Sequence, residues 1–278
     1  MYSINNKIIQ LLLTGLSLAT PIHSFALPSG GPIPMGAALS QISVKQYSPS
    51  TLDLPPTAYL IPNSAFVILD PTKANATSMY GALFGPLGVL IHGEVGKSET
   101  SKTIDQSEQP LVDLADLVGV QLTKNSQPNT DNTSVFEITP SGWMFIKSAG
   151  DRGTLVIKLE VQWKDKSGDT KWRQEYYYNV LTDRSLIGTD GWFAAGTSAL
   201  RQESELGVAK LIALFLNELS NAQTYSETEV KLGGCFPGVK KLTLLTENSD
   251  DIVIKVHGNR ASGSSIQVVN RAQCTMSR

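Results

Sequence analysis

Five apolar residues fall on every second position from Leu155: Leu155, Ile157, Leu159, Val161 and Trp163. Val156, Lys158, Glu160 and Gln162 lie between them. A period of two belongs to a strand with one face in a core and the other mostly in water. Residues 165–169 read DKSGD, where Gly168 supplies a positive φ and the charges keep a loop solvated. Trp172, Tyr176, Tyr178 and Val180 then share one face of a return strand. Arg173, Glu175, Tyr177 and Asn179 share the other. A hairpin this long needs a covering layer. Downstream, Val208, Leu211, Ile212, Phe215 and Leu219 recur at helical spacing, with Lys210, Asn217 and Glu218 off that stripe. The pattern predicts an amphipathic helix capped near Ser204, with Gly207 weakening its first turn by about 1 kcal/mol relative to alanine.

Shorter strands are expected at 42–47, 59–61 and 65–69, and at 135–138 and 143–146 around a turn at Thr139-Pro140-Ser141-Gly142. Residues 111–124 read as a short helix with Leu111, Leu114, Leu117 or Val118, and Leu122 at its seam. Asp113 and Asp116 then fall on its outer side, where they favour the helix dipole. Segments 241–246, 251–256 and 266–269 read as a C-terminal meander. The fold class is α+β: a mainly antiparallel sheet covered by one or two amphipathic helices, with a small disulfide-stapled meander. The chain divides into a signal peptide (1–26), an extended Pro/Gly/Ser-rich lead segment with few fixed contacts (27–56), an α+β domain (57–222) and a small β-rich subdomain (223–278). This run of elements resembles the α+β domains common in exported envelope-assembly proteins, a likeness of architecture that transfers no residue.

Composition locates the chain more than it explains it. The 278 residues are 41% hydrophobic and 17% charged, with a formal net charge of −2 and no basic stripe, which excludes nucleic acid as the expected partner. In residues 1–26 Lys7 is the only charge, the apolar run 8–19 is too short to span a bilayer, and Ser24-Phe25-Ala26 has the small residues of a cleavage site. Export is the expectation, with a mature chain from Leu27 and no anchoring through an N-terminal cysteine. The only cysteines, Cys235 and Cys274, are expected to pair, as export permits. Loop closure then contributes at most roughly 4 kcal/mol.

The candidate chemistry is sparse. Between Lys73 and Glu94 lie twenty residues without formal charge, of which only 79–91 are continuously apolar enough for a membrane. Gly81 and Gly85 would let another helix come close. Burial of most of this stretch is expected, with Met79, Phe84, Leu87 and Leu90 as candidate contacts to a partner or membrane. Gly96-Lys97-Ser98 is not a phosphate loop, because Ile91 stands where the motif needs glycine. Trp192 and Phe193, amid Gly188, Gly191 and Gly196, are either a ligand platform or aromatics closing one end of the core. His92 and His257 have no metal-site spacing, and no G-x-S-x-G elbow occurs.

No catalytic residue, metal, cofactor or small-molecule ligand is therefore assigned. The expected function is that of an exported, non-enzymatic extracytoplasmic protein of the bacterial envelope. It would bind another envelope protein as an accessory or assembly factor. The first alternative is an exported carboxylate-dependent glycan hydrolase or glycan-binding protein, stacking sugars on Trp163, Trp172, Tyr176, Tyr178 and Trp192. The second is a membrane-associated subunit inserting residues 79–91.

Overall fold

The computed structural model describes residues 32–34, 41–48, 54, 58–61, 64–69, 112–125, 134–146, 152–186, 188–194, 198–220, 228–233, 235, 242–257 and 264–277. The expected leader at 1–26, the stretch 79–91 with Met79, Phe84, Leu87 and Leu90, and Gly96-Lys97-Ser98 lie outside the described residues. In chain order the elements are β1 (Gln41–Val44), β2 (Ala58–Leu60), β3 (Phe66–Leu69), α1 (Leu114–Asn125), β4 (Val135–Ile146), β5 (Arg152–Lys164) and β6 (Thr170–Ser185). There follow α2 (Ser198–Leu219), β7 (Thr228–Gly233), β8 (Leu242–Glu247), β9 (Asp251–His257), β10 (Ser264–Asn270), a 3-10 turn at Arg271–Gln273, and β11 (Thr275–Ser277).

One sheet runs in the order β11-β7-β8-β9-β10-β6-β5-β4-β3-β2, with β1 also beside β4. It is mixed: β1 and β3 run parallel to β4, and β10 runs parallel to β6. The hairpin β5–β6 is its centre. Pairing Leu155 with Val180, Ile157 with Tyr178, Leu159 with Tyr176 and Trp163 with Trp172 puts the apolar set of both strands on one face. The turn fixes that register. Asp165 Oδ1 accepts from the amides of Ser167 and Asp169 at 3.0 and 3.1 Å, and Gly168 takes φ +82°.

β4 is one strand through Pro140, where a turn was expected. The reason lies in its far edge. Ile138 O accepts from Lys45 N just beyond β1, and Gly142 N donates to Ala65 O just before β3. Pro140 shares their parity, so its missing N–H faces the gap where β1 ends and β3 begins, and no ladder bond is lost. β1 also places part of the lead segment within the sheet. Ile33, Ile42, Val44 and Tyr47 pack against the core, so these described residues of the lead segment have fixed contacts.

α2 covers the apolar face of the hairpin, and α1 packs beside it against β4 and β1. α2 starts at Ser198, upstream of the expected cap, because Leu200 extends the buried stripe. Ser204 is consequently buried inside the helix. At Gly207 a Cβ would stand 2.6 Å from Tyr178 Cδ1, so this glycine sets how closely α2 approaches β6. α1 begins at Leu114 because Asp113 caps it, accepting from the amides of Ala115 and Asp116 at 2.9 and 3.1 Å. Asp113 is therefore a cap and not an outward-facing helical residue. Under the helices Phe136 meets Trp172 and Phe215 edge-on, with ring centroids 6.0 and 5.3 Å apart.

A second core lies on the opposite face of the sheet. Val268 pairs with Tyr178 and faces the helices, so Val269, beside Asn179, faces away. There it joins Val230, Leu232, Leu242, Leu244, Ile252 and Ile254. The expected disulfide between Cys235 and Cys274 is present at the rim of this cluster, with Cα atoms 5.5 Å apart. Among the described residues no helix is long and apolar enough to cross a membrane.

Candidate binding surface

The face of β4, β5 and β6 that no helix covers among the described residues, called the helix-free face below, collects the charges that alternate with the core residues. Register places Glu160 directly opposite Glu175, an arrangement that is repulsive by itself. Two cations on the diagonals resolve it. Lys158 Nζ lies 2.9 Å from Glu175 and 3.5 Å from Glu160, and Arg173 Nη2 lies 2.9 Å from each. Tyr177 OH donates to Glu175 Oε2 at 2.8 Å. Nearer the first strand, Glu137 is held between Lys45 at 2.8 Å and Lys164 at 3.0 Å.

These groups are only partly wet. The side chains of Glu137, Lys158 and Glu175 keep 13%, 17% and 18% of their exposure. Burial pushes the Glu175 carboxyl up, but the charge of Lys158, hydrogen bonds from Lys158 and Tyr177, and Arg173 together hold it below its ordinary value. Glu137 is likewise held low: hydrogen bonds and charge from Lys45 and Lys164 outweigh burial. Burial, then the Glu175 charge, push the Tyr177 phenol up, so it stays a donor. A general acid at the Glu160–Glu175 pair would need a raised pKa, and Glu175 has the reverse.

Toward the other end of this face the sheet becomes aromatic. Trp143 pairs with Val156 and Phe145 with Thr154 across β4 and β5. Trp143 Nε1 donates to Ser141 Oγ at 3.1 Å, and Phe145 is 37% exposed, unusual for a large apolar side chain here. The surface thus offers aromatic contact beside mixed charge.

Other singled-out residues are structural in place. Trp192 is fully buried, donates from Nε1 to Gly153 O at 2.8 Å, and has the Arg184 guanidinium 5.3 Å from its ring centre. Phe193 packs against the same core. Trp192 therefore turns no face to a ligand. Trp172, Tyr176 and Tyr178 are buried under the helices, so these rings are not sugar platforms. Tyr176 OH donates to Glu218 at 2.6 Å, and Lys210 Nζ lies 2.7 Å from Asp251, tying α2 to the sheet. His257 Nε2 is 2.9 Å from Thr243 Oγ1. Among the described residues no group of three or more His, Cys, Asp or Glu is placed to hold a metal.

The sequence puts Lys158, Glu160, Arg173 and Glu175 on the wet face, but not in contact. Opposite signs on two adjacent strands were the available signal, and only the register turns them into a cluster. In comparisons with known proteins, no family model and no curated sequence matches this chain.

Proposed function

We propose that this is an exported, non-enzymatic protein of the bacterial envelope that binds another envelope protein through the helix-free face of β4–β6. The observation that carries the reading is Phe145, exposed beyond Trp143 at one end of the face whose other end holds the Lys158–Glu160–Arg173–Glu175 cluster. Aromatic anchors flanked by polar groups are the usual composition of a protein contact. Interleaved charges of both signs complement a protein surface and fit poorly to a polyanion, which calls for one sign. The disulfide supports an oxidising compartment.

A photo-crosslinking residue at Phe145 or Val156, compared with one at exposed Leu206 on α2, tests this in the host's envelope fraction. Discrete protein adducts from the two sheet positions and none from Leu206 are expected. Adducts from Leu206 alone, or only glycan or lipid adducts from the sheet face, would overturn the reading.

A further inference from the structure

Among the described residues β11 pairs with β7 alone. Thr275, Met276 and Ser277 pair with Gly233, Leu232 and Lys231 of β7. β7 in turn meets β8 through three residue pairs among the described residues, from Thr228 to Val230. The strand that closes this margin is therefore attached to a strand that is itself lightly attached. Thr275 and Ser277 are exposed, and of β11 only Met276 packs on the second core. Cys235 and Cys274 join the same two segments covalently, and Cys274 is the more exposed of the two. Further contacts supplement them: Arg271 Nη1 to Glu247 at 2.7 Å and to Asn248 O at 3.3 Å, Arg271 N to Asp250 O at 2.8 Å, and Gln273 to the exposed Thr182 at 2.9 Å.

We infer that the Cys235–Cys274 bond is a redox latch on a terminal flap, and that its reduction frees β11 and the end of β7 while the helix-covered sheet stays folded. The reductant is a dithiol of the thiol–disulfide exchange class. Its thiolate attacks the Cys274 sulfur, breaking the Cys235–Cys274 bond and forming a mixed disulfide; Cys235 leaves as a thiolate and takes a proton. The reductant's second thiol then attacks its own mixed-disulfide sulfur, releasing Cys274 as a thiol. Two electrons and two protons pass to the protein, and the dithiol becomes a disulfide. As the flap leaves it draws Leu232 out of the second core and uncovers the neighbouring edge of that core, a surface present only in the reduced form.

The separation of local from global effects is the prediction. The first core does not depend on this seam: β4, β5 and β6 are joined by full-length ladders and covered by α2. Hydrogen exchange by mass spectrometry on the full chain, oxidised and then reduced with dithiothreitol, reads this out by peptide. Peptides over 228–233 and 271–277 are expected to exchange at least tenfold faster after reduction, with 155–163 and 172–180 unchanged and reoxidation reversing the effect. The Cys235→Ser, Cys274→Ser double variant should exchange like the reduced protein. Unchanged exchange in 228–233 and 271–277 on reduction would overturn the latch. So would acceleration spreading into β5 and β6, since the bond would then be a staple for the whole fold.

Discussion

At Gly207 a missing methyl group sets the spacing between helix and sheet. In a solvated helix the change to alanine would stabilise, yet here the added carbon would meet Tyr178 and Ile157, both in the packed interior. Gly207→Ala is expected to destabilise by about 1–3 kcal/mol, and a thermal melt at or above that of the parent would refute the packing argument. The charged residues carry a pH signature of definite sign. Glu137 and Glu175 have folded pKa values below their ordinary 4.5, so their contribution is complete above that value and is lost as pH falls through the lower folded one. Glu175→Gln should therefore melt below the parent at neutral pH, with the gap closing as the pH falls below 4.5. A gap independent of pH would show that the carboxylate charge contributes nothing.

Among the elements, α2 shows how a polar contact orients an apolar stripe. Its buried side chains seat it on the hairpin, and the Lys210–Asp251 pair ties it to β9 as well. Asp251 is 8% exposed, so removing its partner strands a charge. Lys210→Met is expected to cost about 3 kcal/mol, and adding Asp251→Asn to recover part of that. Additive losses in the double-mutant cycle would mean that the two groups do not interact. This helix and the hairpin were legible in the sequence because each has one apolar and one polar side. β4 was not, since Pro140-Ser141-Gly142 has the composition of a turn and only the change of neighbour from β1 to β3 explains a strand there. The strands of the second core were located but not placed. Residues such as Ile252, Val253 and Ile254 are buried on both faces, which erases the alternation that tells a strand's inside from its outside.

For the whole molecule, the decisive fact was invisible to any local pattern: β10 lies against β6, and Gln174 of one meets Ser264 of the other across 90 positions of chain. The candidate binding face was half legible in the same sense. Its residues could be assigned to the solvent side, but the opposition of Glu160 and Glu175 depends on a register that a five-residue turn fixes. A chain made from its N-terminus completes β6 well before residues 264–270 exist, so through that interval one flank of the central hairpin stands without a neighbour. Bare strand flanks recruit whatever extended segment is nearest, including another copy of the same chain. A version stopped after His257 should accordingly be recovered as oligomers or aggregate, and a folded monomer in light scattering would contradict this. The insertion of β10 thus makes the last part of the message the guard of the first: until it arrives, the molecule's most orderly region is also its most adhesive.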